Sequence, residues 1–271
     1  MIIGQEKGRK LVMTPIFDTH SHYDDEAFDA DRDALLTSLK DGGIGKVVDV
    51  GAGIPSSKRA LELANEYDFV YCALGVHPDE VGDLNDETCA WLETEAAGQP
   101  KCVAVGEIGL DYHWDVHPHE EQKKWFEWQL ELARRVKKPV IIHSRDAARD
   151  TADVMKGCNA GEIGGVVHCY SYSAEMAREF LEMDFFFGIG GVLTYKNARK
   201  LVETVEYVPL EKIVLETDCP YLSPVPHRGE RNSSLNIPFV VTRLAEIKGV
   251  SEEEVRRITW ENAHRMYGLQ E

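Results

Sequence analysis

The chain of 271 residues contains no Cys-x-x-Cys pair, no apolar run of membrane-spanning length, no low-complexity segment and no linker that would divide it into domains. Each absence removes a class of protein. Six scattered cysteines fit reduced thiols better than a disulfide framework. Two of them, Cys169 and Cys219, directly follow candidate ligands and read as small strand residues turned away from the site. The first ten residues lack the apolar core and small-residue cleavage site of a secretory signal, so a cytoplasmic protein is expected. Positive charge is also scarce: 30 Lys and Arg against 47 Asp and Glu leave a net charge of -17. Such a field repels polyanions, which excludes a protein that coats duplex nucleic acid through a basic surface. A phosphate-bearing substrate would have to be held locally, by metals or a few Arg and Lys.

What is present is an ordinary globular composition, 43% hydrophobic and 28% charged, long enough to bury a full core. Residues 1–12 are polar and charged and precede the first apolar run. They are expected to be a disordered or dispensable extension, with the functional domain spanning 13–271. From there strand-like runs appear at residues 15–18, 46–50, 69–74, 102–106, 139–142, 164–168, 184–189 and 212–215. Amphipathic helical patterns cover residues 30–40, 56–67, 86–97, 119–136, 146–156, 174–183 and 197–207, followed by 236–248 and 252–267. Ser251 and Glu254 stand in capping-box spacing at the start of the last helix. Eight such alternations predict a single-domain α/β fold, the closed (β/α)8 barrel, over a doubly wound open sheet.

Barrel enzymes build their sites at the carboxyl ends of the strands. Here those ends read DTHSH, VGEIGLDY, IIHSRD, VVHCYS and VLETDCPYL. His20 and His22 stand two apart on an extended segment and so face one side. Glu107, His143, His168 and Asp218 occupy the later strand ends. Any one of them could be a rim residue, but six on one rim form a donor set of four imidazoles and two carboxylates. Such a set suits a pair of divalent ions, which lower the pKa of a shared water and clamp phosphoryl oxygens. A metal-dependent hydrolase is the expected class.

These residues, in this order, resemble the TatD-related metal-dependent deoxyribonucleases of the amidohydrolase-like barrel superfamily. The likeness runs from about Met13 through FDTHSH, LGVHP, VGEIGLDY, PVIIHSRDA, VVHCYS, TYKNA, VLETDCPYL and PHRGERN to ENAHRMYGL. The resemblance implies that His20, His22 and Asp218 bind one metal, that Glu107 bridges, and that His143 and His168 bind the second. Phosphotriesterase-like and dihydroorotase-like relatives commonly bridge with a carboxylated lysine; the glutamate here argues against a cyclic-amide hydrolase. The implied reaction is hydrolysis of DNA phosphodiesters, with 3′-5′ exonuclease polarity on single strands or 3′ ends. Asp218 would orient or deprotonate the attacking water, and Asp218 and Glu107 are the expected catalytic residues. The two ions could be Zn, Mn, Co or Mg. The alternative is a metallohydrolase of the same superfamily acting on a small phosphoester or amide.

Substrate contacts are expected from Arg145 and Arg228, whose guanidinium groups can bind phosphate bidentately. His77 could bind phosphate or protonate a leaving group, Tyr112 could stack on a base, and Asn232 could contact substrate or cap its loop. Asp79 stands where the family usually has histidine, and Tyr170, Ser171 and Tyr172 replace a usual phenylalanine, serine and glycine. Both departures touch the substrate mouth. The histidines of the loop from His113 to His119 read as solvated, and Trp125, Trp128 and Leu132 as a helix stripe packed on the barrel.

Overall fold

A computed structural model describes residues 3–6 and 9–270, with side chains from residue 13. Two short strands, β1 (Ile3–Glu6) and β2 (Arg9–Val12), pair antiparallel with each other and with no barrel strand. The sequence patterns did not anticipate this ribbon, because its eight residues carry no apolar alternation. The barrel follows. Its strands are β3 (Ile16–Ser21), β4 (Ile44–Val50), β5 (Val70–Leu74), β6 (Cys102–Asp111), β7 (Val140–Arg145), β8 (Gly165–Val167), β9 (Phe186–Ile189) and β10 (Ile213–Leu215). They lie in sequence order, all parallel, as the (β/α)8 reading requires.

The helices are α1 (Arg32–Leu39), α2 (Ile54–Glu66), α3 (Asp86–Gly98), α4 (His119–Val136), α5 (Ala148–Gly157), α6 (Ala174–Glu182), α7 (Arg199–Tyr207), α8 (Ile237–Lys248) and α9 (Glu252–Tyr267). Ser251 caps α9 by accepting the Glu254 N–H at 3.1 Å. On α4, Leu132 is fully buried and Trp125 and Trp128 pack against the core, the arrangement that the stripe predicted. The same helix carries two buried glutamines that pin strand ends. Gln122 brackets the backbone of Asp111, and Gln129 brackets that of Val76, the residue before His77.

The barrel closes between β10 and β3, beside the residues that matter most. The N–H groups of Asp218 and His22 donate to the carbonyls of His20 and Cys219, at 3.0 and 2.8 Å. A buried carboxylate, Asp18, braces this seam. It accepts from the Thr217 hydroxyl at 2.7 Å and the Ser234 hydroxyl at 2.6 Å.

The largest boundary error is at β6, predicted to end at Gly106 but continuing to Asp111. Gly109 permits the extension. Its φ is +148°, and a β-carbon there would lie 1.9 Å from the His143 carbonyl oxygen. The two backbones touch where β6 passes β7, so only glycine fits. Gly109→Ala is expected to push His143 off its position and destabilise the fold by roughly 2–3 kcal/mol, seen as a lower Tm with weaker metal uptake. Unchanged values for both would refute the packing argument.

Thr14 is the first residue with described side-chain bonds to the barrel helices, donating from its hydroxyl to Glu253 at 2.7 Å. A protein begun at Met13 is therefore expected to retain its fold and hydrolytic activity. Insolubility or inactivity of that shorter chain would show that the ribbon is needed.

Candidate metal centre

The carboxyl ends of the strands surround a cavity of about 970 Å³. His22, Glu107, His143, His168 and Asp218 line its floor, and the buried His20 lies directly beneath them. The Nε2 atoms of His20 and His22 are 3.1 Å apart, and Asp218 Oδ1 lies 3.7 and 3.3 Å from them. Glu107 Oε2 is 3.5 Å from His20 Nε2. Its other oxygen, Oε1, is 2.7 Å from both His143 Nδ1 and His168 Nε2, which are 3.3 Å from each other. Donors bound to one ion at about 2.0–2.1 Å are separated by about 3.0–3.5 Å. Two donor clusters lie near this spacing, and Glu107 turns Oε2 to the first, 3.5 Å from His20 and 3.9 Å from His22, and Oε1 to the second.

The supporting contacts fit coordination as well. His22 Nδ1 faces the Val50 carbonyl at 2.8 Å, so in the neutral ring the proton sits there and Nε2 offers its lone pair to the cavity. His143 Nε2 faces Asp111 Oδ2 at 3.0 Å, which turns Nδ1 inward in the same way. His20 is stacked on His168, with ring centroids 4.0 Å apart.

Electrostatics point the same way. Burial opposes ionisation of Glu107, yet His168, His143 and His20 outweigh it and hold the carboxyl well below its ordinary range. Burial likewise pulls His22 down, but Asp218 and Glu107 carry it up to about 10. His143 rises to about 9 against its burial, through Asp111 and Glu107. Protons on these imidazoles compensate the carboxylates in the metal-free protein, and divalent cations would take over that task.

Two carboxyl groups at the site escaped the sequence reading. Asp111 lies four residues beyond Glu107 on the same strand and hence on the same face, a signal that was available. Glu216 precedes Asp218 by two and is the first acid at the end of β10, so Asp218 is the second. Burial raises the Glu216 pKa to about 8, keeping it protonated at neutral pH, and its Oε1 accepts the Cys169 N–H at 2.5 Å. Gly188 makes room for it: a β-carbon there would lie 2.0 Å from Glu216 Oε2.

The expected substrate residues separate. Arg145 and His77 line the cavity. The Asp79 N–H donates to His77 Nδ1 at 3.1 Å, leaving the proton on Nε2, and burial lowers the pKa of the ring to about 3. Tyr112 instead stacks on His119 at 3.5 Å and donates its hydroxyl to Asp150, outside the lining of the cavity. Arg228 lies over the Tyr195 ring, also outside the lining. Asn232 is buried and donates to the carbonyls of Thr217 and Tyr221, so it shapes the loop that follows Asp218. Of the departures, Asp79 and Ser171 line the cavity, Tyr170 is buried, and the Tyr172 hydroxyl contacts Ser144. The loop of three histidines is solvated only in part, because Trp114 within it forms part of the cavity wall. Cys219 is buried and Cys169 lines the cavity; all six cysteines are free thiols.

A sequence model of the TatD related DNases matches residues 17–268. The chain belongs to this family. Among TatD relatives, the Bacillus subtilis protein called uncharacterized metal-dependent hydrolase YabD is 42% identical over 254 residues, covering 94% of this chain and 99% of that one. The Escherichia coli K12 protein called uncharacterized metal-dependent hydrolase YcfH is 33% identical, covering 94% and 96%. The crystal structure of the TatD homologue YjjV from E. coli K12 superimposes with a TM-score of 0.88 at 31% identity, covering 94% and 98%. No helix among the described residues is long and apolar enough to cross a membrane.

Proposed function

We propose that the protein is a metal-dependent hydrolase that cleaves DNA phosphodiesters, removing nucleotides from 3′ ends of single strands. The observation that carries this reading is Glu107, whose two oxygens join two nitrogen-rich donor sets at the floor of one cavity. Membership of a family described as DNases supports the choice of substrate. His20, His22 and Asp218 would hold one divalent ion and His143 and His168 the other, with Glu107 bridging. Ions bound there lower the pKa of water and offset charge on phosphoryl oxygens.

The chain's own residues do the rest. Asp218, its side chain only 18% exposed and kept ionised by His22 against the effect of burial, orients the attacking water and accepts its proton. Arg145 is the one Lys or Arg among the described residues that line the cavity, and it contacts the phosphate. His77, neutral with Nε2–H, donates a hydrogen bond to the leaving oxygen. The acidic net charge favours a second reading, a small phosphoester as substrate, because the described residues that line the cavity include five acids at its mouth and a single Lys or Arg.

The deciding assay loads the protein with Mg, Mn, Co or Zn in turn and presents single-stranded DNA, duplex DNA, RNA, small phosphoesters and amides. Shortening of single-stranded DNA from its 3′ end is expected. If every nucleic acid stays intact while a small phosphoester is hydrolysed, the second reading replaces the first.

A further inference from the structure

Trp114 is 62% exposed, more than any other large apolar side chain among the described residues, yet it is part of the wall of the catalytic cavity. The Arg145 guanidinium lies over its ring, 5.4 Å from the centroid. The loop is held rigidly: Asp111 Oδ1 accepts the N–H groups of His113 and Trp114 at 2.8 and 3.0 Å. The other oxygen of the same carboxylate faces His143. One buried acid thus sets both the position of a metal-centre histidine and that of the indole.

The rest of the mouth has the opposite character. Asp24 and Asp25 follow β3, and Asp79, Glu80 and Asp83 follow β5; all line the cavity. In an eight-stranded barrel β3 stands diametrically across from β7, whose last residue is Arg145, so Asp24 and Asp25 face the platform from across the mouth, while the three acids after β5 flank it, next to the loop that carries Trp114. The cavity volume of about 970 Å³ is that of a small-ligand pocket and not of a polymer groove.

We propose that Trp114 and Arg145 form a platform for a single nucleoside and its phosphate, and that an acidic wall around the rest of the mouth selects oligonucleotides of a few residues over long chains. This deepens the phosphodiesterase reading and rests on it. The base stacks on the free part of the indole, the guanidinium binds the phosphate beside the metal centre, and the wall repels further phosphates. A protein that binds nucleic acid by neutralising phosphates loses affinity as salt rises. Here salt screens a repulsion, so the dependence is reversed.

The test measures kcat/KM for a thymidine dinucleotide, a tetranucleotide and a 20-mer between 20 and 200 mM KCl at fixed divalent metal. A small nitrophenyl phosphodiester serves as reference in each buffer. Relative to that reference, the value for the 20-mer is expected to rise several-fold with KCl, that for the dinucleotide to stay nearly level, and the dinucleotide to be preferred at low salt. Glu80→Gln with Asp83→Asn should flatten the slope. Trp114→Ala should raise KM for the dinucleotide on the order of 10-fold while kcat changes less, and Trp114→Phe should restore most of the loss.

A conventional fall of 20-mer activity with salt, or equal KM values for the Ala and Phe variants, would overturn the proposal. If no nucleic acid is cleaved while the small diester is, the nuclease reading fails by itself. Binding of thymidine monophosphate to the metal-loaded protein, followed by tryptophan fluorescence, then decides the platform. Binding that weakens about 10-fold in Trp114→Ala supports it; binding indifferent to Trp114 sinks it.

Discussion

Glu107→Ala is expected to lose both ions together and to lower hydrolytic activity on the order of 10³-fold or more. The size of the effect follows from position. Glu107 is 4% exposed, its Oε1 is 2.7 Å from both His143 and His168, and its Oε2 is 3.5 Å from His20. Among the described residues no other carboxylate on the cavity floor presents one oxygen to each donor set; Asp218 lies near His20 and His22. Losing Glu107 would take a negative ligand from each donor set and, were two ions bound there, the charge that would offset their mutual repulsion. Glu107→Gln keeps the shape and removes only the charge, so it should lose nearly as much. The measurement is metal content by elemental analysis beside turnover, with circular dichroism to check the fold. Wild-type metal content in the alanine variant would remove the bridge from the mechanism.

Metal loading should stabilise the protein and release protons. A divalent ion at about 100 times its Kd contributes about 2.7 kcal/mol, which raises Tm by about 5–10 °C in a chain of this size. His22 and His143, held near 10 and 9 by their carboxylates, carry protons at pH 7 in the metal-free state and must give them up to coordinate. Metal uptake should therefore release about two protons, seen in titration calorimetry as a heat that varies with the ionisation enthalpy of the buffer. The sign of the pH effect follows. Because both folded pKa values lie above the ordinary histidine value, their contribution to metal-free stability is complete below about pH 6.5 and fades as pH rises towards 9 and 10. The gain in Tm on metal addition should consequently be larger at pH 9 than at pH 6. An equal gain at both would contradict the protonation states assigned to the two histidines.

The difference between the legible and the illegible residues lies in how far their partners are in sequence. His20 and His22 could be paired from spacing alone, since two residues on a strand share a face. Asp111 could have been added by the same rule from Glu107, but β6 was expected to stop at Gly106. Its last residues, Glu107 to Asp111, lie beyond the apolar run at 102–106, and Gly109 is what lets the strand continue past His143. Tyr112 and Trp114 stand two apart in one loop, and composition gave no reason to choose between them. The choice depends on His119 and Asp150, which take Tyr112 away from the mouth, and on Asp111 and Arg145, which hold Trp114 at it. Arg228 and Asn232 were chosen for their chemistry, but their directions are set by Tyr195 and by the carbonyls of Thr217 and Tyr221.

The sequence by itself determined the alternation of eight strands with helices, the parallel barrel and the six donors at its rim. Hydrophobic periodicity and residue type are local quantities, and parallel strands in order must bring their carboxyl ends to one side. The tertiary structure alone decided which oxygen of Glu107 faces which histidine pair and that Asp111 orients His143. It also decided that one arginine and one exposed tryptophan share the cavity mouth with Asp24, Asp25, Asp79, Glu80 and Asp83. Those facts depend on side chains from strands separated by dozens of residues, whose distances are set by barrel closure between β10 and β3 and not by any spacing along the chain.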